Sequence, residues 1–239
     1  VGVRRALLRI GIPYRYIDQD ILAYLQQRGF KLGERLPRKF SIGCSSPRCT
    51  IYLVNSTMLP ELVEEGAIDL AILPSVDFRE ANTFTVSLAD LSVTVGKLML
   101  GVSKSMPILP LRELPVKTVL TRTPRLTKEF LDQNKLKWKM RVIRGMSFSL
   151  FPILGKDTAV VEYVRTGSTM ELNGITPVAT VASSSVVLIV HPKKVHAQEI
   201  NRVKKMIAAP LKEGKPSGQA ARHGQVLIHS KPIAPVVGK

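Results

Sequence analysis

Strands that alternate with helices predict an α/β protein, and three observations carry that prediction. Short runs that are wholly apolar or of period two recur along the 239 residues. Between them lie segments with apolar residues at helical spacing. Gly29 and Gly66 stand where such segments must end.

The elements follow in order. Val3 to Gly11 reads as a first strand. Asp18 to Arg28 carries Ile21, Leu22 and Leu25 and reads as a helix closed by Gly29. Cys49 to Val54 is a strand, Pro60 to Glu65 a helix stopped by Gly66, and Ile68 to Leu73 the next strand. Leu98 to Val102 begins a second unit, with a helix from Thr127 to Gln133 and strands near Trp138 and Ala159. A brief helix from Met170 ends at Asn173-Gly174. Val181 to His191 is a long strand, and Ala197 to Ala208 a helix.

Past Pro210 the chain changes character. Lys212 to Gly224 is polar, basic and rich in breakers, and is not expected to fold alone. An apolar content of 45% supports real cores. The longest apolar run, Thr180 to Val190, falls short of the ~18 residues of a membrane span and reads as a buried strand.

Charge is the strongest compositional signal. The chain holds 35 Lys+Arg against 18 Asp+Glu, a net +17, so a polyanionic partner is expected. Basic residues concentrate in 1–50, 97–144 and 191–239, whereas Glu61 to Asp90 is acidic on balance. From Lys135 to Val142 the sequence alternates strictly. A strand there places Leu136, Trp138, Met140 and Val142 on one face, with Trp138 in the core. Lys135, Lys137, Lys139 and Arg141 then share the other face, about 6.6–7 Å apart, a spacing that suits phosphates along a nucleic-acid backbone. Lys212, Lys215 and Arg222 extend the nucleic-acid contact into the tail. Aromatic residues are only 5%, so such binding is led by phosphate contacts and not by stacking.

Cys44 and Cys49 read as reduced thiols in a loop. A zinc site completed by His191 and His196 is disfavoured, because these lie far along the chain. No nucleophile–base pattern stands out. The chain opens at Val1 with no intact transit or signal peptide, which fits either a removed targeting segment or a late start.

One segment carries chemistry. The apolar run Thr158 to Val161 leads into Glu162-Tyr163-Val164-Arg165-Thr166-Gly167-Ser168-Thr169. A strand that ends in an acid and turns through Thr-Gly-Ser-Thr offers hydroxyls and backbone N–H groups to a phosphate. The bland alternative is a helix cap.

The run from Ala159 to Gly174 resembles the phosphoribosyl-pyrophosphate loop of the ATP phosphoribosyltransferases of histidine biosynthesis. Collinear segments agree. Leu59 to Leu70 is similar to the family's "IPxYVEEGAADLGI", Thr118 to Thr127 to "RIATKYPNLT", Pro152 to Gly155 to "APLLG", and Ala182 to Ile189 to "ESSARLIA". The resemblance covers about Val3 to Pro192. It implies a two-domain, periplasmic-binding-protein-like phosphoribosyltransferase fold with a basic extended C-terminal tail. The first domain is 1–91 plus 177–209, the second 92–176 and the tail 210–239, with the ligand site between the domains.

The departures are as informative as the matches. The family's "LPKGRL" slot reads Ile12 to Ile17, replacing Lys, Gly and Arg with Tyr14, Arg15 and Tyr16. Its "RARDIP" reads Asn55 to Pro60, its "GITGKD" reads Ala71 to Val76, and its "SGSVE" reads Gly145 to Ser149. In "DAIVDIVxTGTT" the first acid is Thr158 and the second the longer Glu162; Thr166, Gly167, Ser168 and Thr169 survive as the ancestral phosphate loop. Losing one donor from such a site costs about 10²–10³ in rate, and several have changed class together.

The expectation is therefore a degenerate homologue with no catalytic residue, no cofactor and no metal. It would serve as a structural component of a ribonucleoprotein, most naturally a mitochondrial ribosome, bound to RNA and neighbouring proteins in the organellar matrix. The alternative is an active, oligomeric, cytoplasmic ATP phosphoribosyltransferase. It would need Mg²⁺ and use Thr166 to Thr169 for the 5′-phosphate.

Overall fold

The computed structural model describes residues 7–15, 17–144, 150–153 and 157–208. The start of the expected first strand, the Gly145–Ser149 segment and the basic tail with Lys212, Lys215 and Arg222 lie outside the described residues. The chain divides into two compact units, one of Val1–Val93 with Ser185–Lys239 and one of Thr94–Ser184.

In the first unit, β1 (Leu8–Pro13) leads into α1 (Asp18–Gln27), then the hairpin of β2 (Ser41–Ser45) and β3 (Arg48–Val54). A 3₁₀ turn at Ser56–Met58 precedes α2 (Leu59–Glu64), followed by β4 (Leu70–Pro74) and α3 (Ser75–Ala81). β1 pairs in parallel with both β3 and β4, while β2 runs antiparallel to β3. The chain thus winds to one side of β1 and returns to the other, the strand-order reversal typical of ligand-binding α/β sheets. Helix α2 forms because Pro60 suits its first turn and Leu59 and Val63 share one face. That face is buried with Ile68, Ala71, Leu73, Val187 and Ile189. β9 (Ile175–Val190) completes the unit's sheet by pairing antiparallel with β4, and α6 (Gln198–Ala208) buries Ile200, Val203 and Ile207.

In the second unit, β6 (Thr118–Thr121), α4 (Pro124–Gln133) and β7 (Lys139–Val142) form a right-sized parallel β-α-β turn. β8 (Thr158–Val164) lies on the other side of β6, parallel to it and antiparallel to β5 (Val86–Ser103). α5 (Ser168–Leu172) follows β8 directly. β5 and β9 each run from one unit into the other.

Several elements differ from expectation. β2 and α3 were not predicted. β5 spans 18 residues where only Leu98 to Val102 was expected. Polar residues such as Ser87, Asp90 and Lys97 interrupt the apolar stretches around buried Leu91, Val95, Leu98 and Leu100, which hides a long strand from a reading based on apolar runs. Cys44 and Cys49 are not in a loop but sit opposite each other on β2 and β3. Both are buried free thiols. Burial, together with the neighbouring Cys44, pushes the Cys49 thiol up to about 12.

The strand expected over Lys135 to Val142 is shortened to its last four residues. Lys135 adopts φ 57° and its amide donates to the Asp132 carbonyl, so it closes α4 instead of opening β7. Lys135, Lys137, Lys139 and Arg141 are all exposed, but only the last two share the strand. Trp138 is half-buried and not a core residue.

One polar network ties the first unit together. The Arg9 amide and Nε donate to Asp69 Oδ2 at 2.8 and 3.1 Å, and Arg9 Nη2 donates to Oδ1 at 3.0 Å. Lys194 Nζ donates to the same Oδ1 at 2.8 Å, and Arg9 Nη2 also reaches the Gly66 carbonyl at 2.7 Å. The network joins β1, the turn before β4 and the 3₁₀ turn after β9. Burial pushes the Asp69 carboxyl up, but the hydrogen bonds from Arg9 and Lys194 more than offset it and hold it at about 2.

Because its folded value lies below its ordinary 3.8, Asp69 contributes stability above about pH 4 that is lost as pH falls through about 2. The side chains of Arg9 and Lys194 are 39% and 37% exposed, which screens the pairs. Asp69→Asn is expected to cost about 1–2 kcal/mol at pH 7 and to flatten the stability profile between pH 4 and 2. Urea unfolding across that range checks both effects.

Candidate phosphate-loop site

The site begins with the register of two parallel strands. Thr121 at the end of β6 pairs with Val161 of β8. The next residues, Arg122 and Glu162, therefore emerge side by side at the carboxyl edge of these strands, the edge at which open α/β sheets bind ligands. Glu162 is 5% exposed. A carboxylate so deep in protein needs a partner, and Arg122 supplies it. Arg122 Nη2 and Nε donate to Glu162 Oε1 at 2.7 and 3.2 Å, and the Tyr163 amide donates to the same oxygen at 3.1 Å.

Beyond Glu162, β8 continues to Val164 and the chain turns. Gly167 stands just before α5 at φ 87°, ψ −15°, a left-handed conformation that glycine adopts without steric cost. Thr166, Ser168 and Thr169 are exposed, while Met170 is buried and anchors α5 among Phe151, Val160 and Ile175. The Thr166 and Ser168 hydroxyls lie 2.9 Å apart. The Asn173 side-chain amide donates to the Thr169 carbonyl at 2.8 Å and closes the short helix. The structure thus brings Glu162 and the Thr166–Thr169 turn into one strand-loop-helix segment, with hydroxyls presented and the apolar side pinned. The helix begins two residues earlier than the expected Met170.

Gly96 of β5 makes this edge possible. A Cβ there would lie 2.6 Å from the Val164 carbonyl oxygen and 2.8 Å from the Tyr163 ring, and its φ is 154°.

Sequence reasoning missed Arg122. Its signal was present in the collinear match of Thr118 to Thr127, but nothing local tied it to a carboxylate 40 residues away. In the first unit the substituted slot is also structured. Tyr14 packs edge-on against Phe40 with ring centroids 5.0 Å apart, and the Arg15 guanidinium lies 5.1 Å from the Tyr14 centroid. Where the family pattern carries Lys, Gly and Arg, this chain presents an aromatic pair and a cation.

This two-unit α/β chain has the periplasmic-binding-protein-like fold that the sequence leads one to expect, and known structures agree. The chain resembles the ATP phosphoribosyl transferase (HisG:HisZ) complex from Thermotoga maritima at TM-score 0.65 and 15% identity, over 84% of this chain and 98% of that one. It also resembles the alkanesulfonate-binding protein SsuA of Xanthomonas axonopodis pv. citri at TM-score 0.58 and 14% identity, over 87% of this chain and 73% of that one. At these identities the likeness shows the fold. Sequence comparison shows the family. The family model described as ATP phosphoribosyltransferase matches residues 56–209. An ATP phosphoribosyltransferase of Thermosynechococcus vestitus is 30% identical over 191 residues, 78% of this chain and 90% of that protein. One from Sulfurisphaera tokodaii is 25% identical over 198 residues, 82% of this chain and 69% of that protein. The chain belongs to the ATP phosphoribosyltransferase family.

These matches overturn the expected role as a non-catalytic ribonucleoprotein or mitochondrial ribosome component. Relatives aligned along most of the chain carry an enzyme's name, and neither the RNA-binding nor the ribosomal expectation finds support among them. The excess of positive charge suits a nucleic acid, but net charge reports on anionic partners in general. Among the described residues no helix is long and apolar enough to cross a membrane.

Gly96→Ala is expected to destabilise the protein by about 2 kcal/mol, because the added Cβ meets backbone that cannot move without opening β5 from β8. A melting-temperature drop of several degrees in calorimetry checks it; an unchanged melting temperature would show that the strands relax freely.

Proposed function

We propose that this chain is an active ATP phosphoribosyltransferase, joining ATP to phosphoribosyl pyrophosphate with release of pyrophosphate. The observation that carries the reading is Glu162, a buried carboxylate near the carboxyl end of β8, with the Thr166-Gly167-Ser168-Thr169 turn beginning four residues on. The family membership supports it.

In this reading the exposed hydroxyls of Thr166, Ser168 and Thr169 hold the 5′-phosphate, and Gly167 lets the backbone approach it. Glu162 accepts hydrogen bonds from the ribose hydroxyls. A ring nitrogen of the ATP base forms a bond to ribose C1 as the C1–O bond breaks, and the bonding pair leaves with pyrophosphate. Positive charge builds on the ribose in the transition state, and a fixed carboxylate beside the ring stabilises it without reorganising. Among the described residues no three His, Cys, Asp or Glu side chains cluster as a metal site. The donor set fits a Mg²⁺ carried by the substrate's diphosphate, as Mg²⁺ usually is, better than a resident ion. Bound there, it would neutralise charge on the leaving group.

The net +17 has a place in this scheme, since both substrates are polyanions and a positive field draws them in. The chain also works as part of an assembly, as the Thermotoga maritima match comes from a complex of two kinds of subunit. Its solution mass by light scattering is expected to exceed the 26.4 kDa of one chain, either alone or with a partner subunit.

The deciding experiment is turnover of ATP and phosphoribosyl pyrophosphate with Mg²⁺, followed by pyrophosphate release, for the native assembly. Glu162→Gln is expected to lower kcat/KM by about 10²-fold or more while the melting temperature holds within a few degrees. A wild-type protein that neither turns over nor binds phosphoribosyl pyrophosphate defeats the proposal.

A further inference from the structure

A buried carboxylate that must meet a ribose has to be held in one rotamer, and the structure shows what holds Glu162. Thr121, the last residue of β6, is fully buried. Its hydroxyl lies 2.8 Å from that of Thr127 and 3.2 Å from that of Thr123, and it accepts the Thr123 amide at 2.9 Å. The Thr127 amide donates to the Thr123 carbonyl at 2.9 Å, and Pro124 starts α4. Three threonines therefore clamp the strand-to-helix turn around Arg122. The clamped turn aims the guanidinium at Glu162, where Nη2 and Nε converge on Oε1. The Arg122 side chain remains 45% exposed, whereas that of Glu162 is 7% exposed.

We propose that Arg122 is the positioning residue for Glu162 in phosphoribosyl transfer, fixing the carboxylate through the two-nitrogen edge of its guanidinium. The inference rests on the function proposed above. A planar fork fixes an oxygen in direction as well as distance, which a lysine ammonium on a flexible stem does not. Arg122 thus acts through Glu162, and removing both residues should cost little more than removing Glu162 alone.

The test is a double-mutant cycle on the native assembly, with Arg122→Met, Arg122→Lys, Glu162→Gln and the Arg122→Met/Glu162→Gln pair. Steady-state kinetics are measured with ATP, phosphoribosyl pyrophosphate and Mg²⁺, and calorimetric titration with phosphoribosyl pyrophosphate alone provides a readout without turnover. Arg122→Met is expected to lower kcat/KM for phosphoribosyl pyrophosphate by about 30–100-fold, with KM for ATP held within about twofold. Arg122→Lys should recover less than about tenfold of that loss. The pair should fall within about threefold of Glu162→Gln. Multiplicative losses, or an Arg122→Met protein equal to wild type, overturn the inference while leaving an active wild type and the proposed function standing. A wild type with neither turnover nor binding removes the proposed function and this inference together. If Arg122→Met does not fold, the cycle with Arg122→Lys carries the same criterion of non-additivity.

Discussion

A carboxylate taken out of water must be paired, and the second unit is organised around that requirement at Glu162. The pairing depends on strand register. Because Thr121 lies beside Val161, the residues that follow them meet at one edge, and Arg122 reaches Glu162 Oε1 at 2.7 Å. A register slip of one residue would turn every side chain of β8 to the other face. It would bury Tyr163 in place of the acid and strand a guanidinium without its partner. The threonine clamp at the end of β6 and the close approach allowed by Gly96 hold that register from either side of β8. The Thr166–Thr169 turn then follows as a matter of chain direction. It leaves β8 at the edge where the acid already stands, and Met170 anchors its far end.

The first unit solves a similar problem with the charges reversed in emphasis. Asp69 is the more sheltered group, its side chain 15% exposed, and collects donors from Arg9 and Lys194, which come from the two ends of the chain's described part. Here the cations are partly exposed and the work is structural, joining elements that the sequence keeps far apart. The substituted slot after β1 differs in kind from both networks. Half-buried Tyr14 joins the exposed Phe40 and Arg15 in an aromatic and cationic cluster where the family pattern is basic. This substitution, together with the changed segments at Asn55 to Pro60 and Ala71 to Val76, supported the expectation of a lost activity. The family model matches residues 56–209, which takes in the changed positions from Ser56 to Val76 but not those at Tyr14 to Tyr16.

Some of this was legible in the sequence because its causes are local. The alternation of strand and helix, the helices at Asp18, Pro60 and Ala197, and the Thr-Gly-Ser-Thr turn all follow from spacing, caps and glycine within a few residues. Other features failed for stated reasons. The Lys135 to Val142 alternation is real in exposure, yet α4 takes Lys135 to close itself, so the strand is half as long as its pattern. The long β5 was hidden because polar residues interrupt its apolar runs, and β2 because five residues on an antiparallel hairpin leave little signal. The reading of charge went furthest astray, since +17 announces an anion without saying whether it is an RNA backbone or a pair of small polyphosphates.

By itself, then, the sequence determined the fold class and the family resemblance, because each is written in contiguous stretches whose physics acts over one or two turns. Only the tertiary structure decided that Glu162 is bonded to Arg122 and that Asp69 gathers Arg9 and Lys194. Those are properties of strand order and register. Pairing between residues 40 or 125 positions apart is set by which strands lie side by side, and no local pattern encodes it.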